Sequence, residues 1–309
     1  MKFPPEFDIN IYKRENNHLA NMSNDNLILH YMYYGCNEGL ISTTIKNRYD
    51  FIDLVPKNKM ILEIGPLCFP CMPVGKSNVH TVDYFSKEEL QQNYANDPNV
   101  DINKICDITY ILKDKVKYSD IIPQIFDYCF SSHNIEHVPC LITFLNNISS
   151  ILKKNSYFFL CMPDYRYCFD HFRNPSNIFE ILDSYYNNQN KPSPVSHLEH
   201  KYLTCHNDSI KHWDMFKNLK SNIFININET KQFLSSQTKK IINEIEDIKQ
   251  LYNKCKNEYL DSHCWKFTPF TFRNIIDILF QTGFIDLKIE RIYKTLKNSH
   301  EFYVILHKS

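Results

Sequence analysis

Seven short runs of mostly apolar residues are spread along the chain, and between them apolar positions recur at helical spacing. The first run, KMILEIGP from Lys59, is unbroken from Met60 and stops at an acid, a glycine and a proline. Such a run predicts a strand buried on both faces that enters a tight turn. NVHTVDYF from Asn78, NVDINKICDI from Asn99, FDYCFSS from Phe126 and SYFFLCMPD from Ser156 predict the next four strands. DLKIERIY and EFYVILHK predict a closing pair near the end. Helices are expected over Ser42–Val55 with Ser42 as N-cap, from Lys87, from Pro139 with the proline in the first turn, and from Phe267 to a cap at Gly283. Strands alternating with helices predict an α/β fold, a Rossmann-like, mostly parallel sheet covered on both faces and closed by an antiparallel strand.

The pattern changes after Asp164. From residue 165 to 265 the chain is rich in Tyr, Asn, His and Lys, and from Glu229 to Tyr259 helical spacing runs on without glycine or proline. The expected organisation is a helical N-terminal extension over 1–41, a core over 42–164, a largely helical insertion over 165–265 and a completion of the core over 266–309. At 309 residues this is one large domain with additions.

Charge narrows the partners. Lys plus Arg and Asp plus Glu both number 35, so no net field draws the chain to a phosphate backbone, and nucleic acid is not expected. No apolar run approaches the roughly 20 residues of a membrane span. MKFPPEFDIN lacks the basic and apolar parts of a signal peptide. Eleven cysteines, an odd count scattered among apolar neighbours, suit buried reduced thiols better than a disulfide framework. A soluble cytoplasmic protein is the expectation.

Ligands of an open parallel sheet bind beyond the carboxyl ends of its strands. Glu63 and Gly65 follow the first run, Asp83 ends the second, Asp107 follows the third, and SSHNIEH follows the fourth. Asp83 lies 18 residues past Gly65, where a carboxylate can accept from both hydroxyls of a ribose. Yet Gly65 is followed by Pro66, Leu67, Cys68 and Phe69, not by the glycines that cradle a diphosphate. A cofactor with a ribose and no phosphates fits, and S-adenosylmethionine is the common one.

With ILEIGP, VHTVDYF and FDYCFSSHNIEHVPCLITFLNNISSILKKNSYFFLCMPD in place, the chain resembles class I S-adenosylmethionine-dependent methyltransferases. MPDYRYCFDHFR, HCWKFTPFTF and EFYVILHK resemble, more narrowly, a bacterial group of these enzymes often found beside glycosyltransferases. The usual first motif has a second glycine near Leu67 or Cys68, which this chain lacks. The resemblance implies that Glu63 faces the cofactor's amino group and that Gly65 permits close backbone approach. It places the ribose on Asp83, the adenine amine on Asp107, and Ser131 and His133 along the methionine moiety. The implied activity is O-methylation of a sugar, nucleotide sugar or surface glycan, with association with glycan-assembly enzymes.

A hydroxyl acceptor must lose a proton, and a positioned base contributes about 10²–10⁴ in rate. His137, Asp164 and His263 are the candidates, with His137 first because imidazole titrates near neutrality. Tyr165, Arg166, Asp170 and Arg173 are expected to line the acceptor pocket, and Arg166 and Arg173 could alternatively take a carboxylate or phosphate.

Four other readings compete. His133, Glu136 and His137 spell the H-x-x-E-H pattern of a zinc hydrolase, but a zinc site needs both histidines on one helix face, and the pattern falls in the turn after a strand. No metal is therefore expected, and Glu136 and His137 are expected to hold the loop. Cys68 and Cys71 imitate a redox pair, and His197, His200, His206 and His212 could gather a metal. The missing glycine argues for a non-catalytic scaffold that keeps the fold.

Overall fold

The computed structural model describes residues 2–112, 117–217 and 223–309. Its strands are β1 (Ile61–Ile64), β2 (Val79–Asp83), β3 (Tyr110–Ile111), β4 (Phe126–Ser132), β5 (Leu152–Pro163), β6 (Leu287–Tyr293) and β7 (Glu301–Lys308). Among the described residues they form one sheet in the order β3-β2-β1-β4-β5-β7-β6. The neighbouring pairs from β3 to β5 are parallel, and β7 runs antiparallel to both β5 and β6. A dinucleotide sheet has six parallel strands in the order 3-2-1-4-5-6. Insertion of an antiparallel β7 is the closing feature expected of the class I methyltransferase fold, and this is the sheet the chain has.

Period-two alternation decides which layer each side chain serves. On β5, Phe158, Leu160 and Met162 join the core beneath the helices Leu141–Ile151 and Pro269–Gln281, with Leu145, Ile148, Phe272, Ile276 and Leu279. Phe159 and Cys161 face the opposite layer, where Phe3, Phe51 and Ile52 pack on Phe130 and Ile305. Burying each such side chain contributes about 1.5–3 kcal/mol before the entropy of ordering is subtracted. All four residues of β1 are buried because both layers cover it. That leaves the strand's carboxyl end as the place where polar groups can emerge.

Three sequence expectations need correction. The apolar pattern of NVDINKICDI is not a strand. It forms a single helical turn at Ile102–Lys104, and Ile105 packs with Cys68 and Leu90 in a separate small cluster. The third strand comes later, at Tyr110–Ile111, so Asp107 precedes it instead of ending it. The helix expected over Ser42–Val55 shrinks to Arg48–Ile52, capped by the Asn47 side chain, because the Ser42 hydroxyl is engaged with the Glu6 carbonyl. The helix expected from Pro139 begins at Leu141, two residues on.

The N-terminal extension is helical, with Tyr12, Leu19 and Leu27 forming its own core. The insertion contains helices Ile178–Tyr186, Pro194–Leu203, Ser209–Lys217, Ile223–Asn243 and Ile245–Asn257. The helical run expected to continue through Tyr259 breaks at Glu244, which leaves helical geometry, and the second piece ends at Asn257. Gly283 closes the last helix at φ +75°. Among the described residues no helix is long and apolar enough to cross a membrane.

Candidate functional site at the carboxyl edge

Gly65 leaves β1 at φ +64°, and a Cβ there would stand 2.9 Å from Asn134 Oδ1. Both facts require glycine: the left-handed conformation, and a side chain lying against the backbone. Leu67, where a second glycine was missed, takes φ +44°. The turn thus keeps a conformation that glycine adopts freely, at a cost of roughly 1–2 kcal/mol for an L-residue.

Glu63 is 1% exposed and accepts from the Cys71 N–H (2.7 Å) and the Met72 N–H (2.9 Å). Its carboxylate holds the loop after β1 in place. Burial pushes it up to about 7, against those two bonds. Asp83 ends β2 and accepts from the Phe85 N–H at 3.3 Å. Burial raises its carboxyl to about 6, and it makes no ion pair among the described residues. Tyr94 sits between two regions: its hydroxyl is pushed up to about 12 by burial, then by Asp261 and by Asp83. The ribose candidate and the partner of His137 therefore bear on one hydroxyl.

The β4 side is arranged differently. His133 takes φ +48° and its Nε2 lies 2.6 Å from Glu301 Oε1, while Arg48 binds the same carboxylate. Ser131 is buried and donates to the Ile64 carbonyl at 3.4 Å, so its hydroxyl faces the sheet. His137 Nδ1 lies 3.0 Å from Asp261 Oδ1. Burial disfavours the charged imidazole, but Asp261 more than compensates and holds it up to about 9. His263 donates from Nδ1 to Asp170 Oδ2 at 2.5 Å, and its ring meets that of His137 edge-on at 4.6 Å. Cys264 N–H and Trp265 N–H both donate to the Glu136 carbonyl, at 2.6 and 3.1 Å. This tie brings the end of the insertion onto the β4 loop.

Several expected site residues are turned inward. Asp164 has no exposed side chain; it is gripped by Arg166 at 2.6 and 2.9 Å and by the Thr295 hydroxyl at 2.6 Å. Asp164 is thus closed to an acceptor, while the Arg166 side chain stays 26% exposed beside it. Arg173 is likewise fully covered, donating to Asp170 (2.7 Å), the His263 carbonyl (2.9 Å), Ser196 O and Glu199. Asp170, between His263 and Arg173, is held down to about 2: burial opposes ionisation, and the hydrogen bonds from His263 and Arg173 prevail. Asp107 is 89% exposed and paired with Lys87 at 2.8 Å, away from the carboxyl end of β3. Tyr165 stays half-buried, with its N–H on the Phe267 carbonyl.

The competing motifs resolve by geometry. H-x-x-E-H lies in turns, not on a helix, and His133 and His137 fall into different sets of converging ligand atoms. Glu136 does not hold the loop with its carboxylate, for neither oxygen has a hydrogen-bond partner. Cys68 is buried and burial pushes the Cys71 thiol up to about 11, the opposite of what a redox pair needs. His206 and His212 stack at 4.4 Å, and among the described residues His197, His200, His206 and His212 belong to no converging ligand set. Asn134 and Asp261 were not foreseen. Asn134 had one signal, a polar residue just beyond a strand; Asp261 had only its place two residues before His263.

No protein-family model matches the chain, and no curated protein does either. Solved structures similar to it include the CcbJ methyltransferase of Streptomyces caelestis, at 16% identity over 42% of this chain and 51% of that one, TM-score 0.27. An S-adenosylmethionine-dependent methyltransferase of Mesorhizobium loti matches at 20% identity, covering 38% and 53%, TM-score 0.27. One from Methanosarcina mazei matches at 12% identity, covering 83% and 95%, TM-score 0.32. The match spans about half the length of the first two. The fold assignment rests on strand order, not on these superpositions.

Proposed function

We propose that the chain is an S-adenosylmethionine-dependent methyltransferase acting on a hydroxyl of a sugar, nucleotide sugar or glycan. The observation that carries this is Asp83, a half-buried carboxylate with no ion pair among the described residues, at the carboxyl end of β2 next to a glycine turn without a phosphate cradle. A carboxylate held in that state is stabilised by a ligand that donates to both its oxygens, as a ribose does. Gly65 would let the backbone approach the cofactor, with Asn134 beside it. Glu63 would act through the loop that it fixes.

The cofactor would supply an activated methyl group. The protein's task is alignment, with reacting atoms held about 3–3.5 Å apart. Asn134, Glu136 and His137 come from the loop after β4, and His263 from the end of the insertion, so the acceptor's oxygen and proton belong at this cluster. Arg166, Arg173, Arg48 and Lys266 are each paired with a carboxylate. None of these four is left for an anionic acceptor, which within this proposal favours a neutral sugar or glycan over a nucleotide sugar. Association with glycan-assembly enzymes belongs to the same proposal.

The test is transfer of labelled methyl from S-adenosylmethionine to glycans of cells lacking the gene, followed by mass spectrometry. One added methyl per acceptor is expected. Absence of transfer to any cell fraction would favour the scaffold reading, whose main argument is weakened by the glycine-like backbone at Leu67.

A further inference from the structure

We propose that Glu136, His137 and His263 bind a divalent transition-metal cation, a set different from the H-x-x-E-H pattern of the sequence. One ligand atom from each converges with the others within 4.8 Å. His263 Nε2 lies 4.0 Å from Glu136 Oε1. Ligands around a tetrahedral cation at 2.0–2.1 Å stand about 3.4 Å apart, so a small inward shift would complete the set.

Two independent features point to a cation. Glu136 is 1% exposed and neither carboxylate oxygen has a hydrogen-bond partner; His133 Nδ1, whose ring is held by Glu301 through Nε2, stands off at 3.6 Å from Oε1. An ionised carboxylate so placed is costly unless a cation meets it. Secondly, each histidine has its Nδ1 on a carboxylate, His137 on Asp261 at 3.0 Å and His263 on Asp170 at 2.5 Å. That bond orients each ring and leaves Nε2 as the nitrogen a cation would take, displacing any proton held there, the arrangement that supports metal-ligating histidines. The other converging set, His133, His300 and Glu301, lacks this character. Arg48 already neutralises Glu301, and its guanidinium would repel a cation.

Two imidazoles and a carboxylate suit zinc, cobalt, manganese or iron better than calcium or magnesium. The cation would retain coordination positions for an acceptor oxygen, whose pKa it would lower. This role rests on the methyltransferase reading; the binding site itself does not.

The test is titration of chelator-treated full-length protein with Co²⁺, read by its visible absorption bands, alongside calorimetry with Zn²⁺. One equivalent is expected for the wild type. Glu136→Gln and His263→Ala should abolish binding with circular dichroism unchanged, and His133→Asn should retain it. Asp261→Asn, which keeps His137 but loosens its support, should weaken affinity about 10–100-fold. The proposal is overturned if the wild type binds no stoichiometric cation, or if binding survives Glu136→Gln and His263→Ala. It is also overturned if binding depends on His133 and not on His263. Calorimetry with S-adenosylmethionine on the same samples separates the two claims: cation binding without cofactor binding supports the metal site and refutes the methyltransferase reading.

Discussion

The carboxylates along the sheet's carboxyl edge live in two environments. At β1 and β2, Glu63 and Asp83 accept from backbone N–H groups and form no ion pair among the described residues, and burial raises both, to about 7 and about 6. Beyond β5, Asp164 and Asp170 are also buried but are gripped by Arg166, Arg173 and His263, and Asp170 is held down to about 2. In the first pair, Asp83 carries an unmet demand for donors, which a ligand can satisfy, while Glu63 spends both its oxygens on the loop after β1. The second is already satisfied and acts as an internal frame, tying the insertion to the core. Acidic residues at strand ends are thus ligand sites or frame according to what else the chain brings to them.

The largest effect should come from breaking the frame. Arg173→Ala leaves Asp170 buried beside a lost cation, and a buried pair broken on one side typically costs about 3–5 kcal/mol. Urea unfolding should show that loss; a change below about 1 kcal/mol would mean that the pair is not part of the frame.

The two environments should also respond to pH with opposite sign. Asp83 binds its proton more tightly folded than unfolded, so its contribution is fully present below about pH 4 and fades as pH rises to about 6. Asp83→Asn should therefore gain about 1–3 kcal/mol relative to wild type above pH 6 and little at pH 4. Asp170 is depressed, so its stabilisation is present above about pH 4 and is lost as pH falls towards 2. Unfolding measured across that range checks both limbs, and a single common slope would erase the distinction.

A smaller effect belongs to the turn. Gly65→Ala must adopt φ +64° and displace Asn134, which should cost about 1–2 kcal/mol and weaken cofactor binding. Adding Asn134→Ala removes the crowding but not the backbone strain, so thermal melts should show partial recovery only.

Much of the fold was legible because buried strands and amphipathic helices differ in period. β3 was not, since it has only two residues, Tyr110 and Ile111, and a more apolar stretch upstream packs against Cys68 and Leu90 without joining the sheet. The glycine turn and Asp83 were legible from spacing alone. The partners of the histidines were not: Asp261 lies 124 residues from His137, and Asp170 lies 93 from His263. No local pattern encodes contacts closed by an insertion folding back on its core. The same limit misled the reading of Arg166 and Arg173, whose carboxylate partners are apparent only in three dimensions.

The central claim is that Asp83 anchors an adenosine. Calorimetry of S-adenosylmethionine binding at pH 7.5 to wild type and to Asp83→Ala tests it most directly. One saturable site is expected in the wild type, weakened about 100-fold in the variant, as loss of a bond or two to a charged acceptor implies, with its melting temperature unchanged or raised. Equal affinity in both proteins, or no binding in the wild type, would contradict the claim.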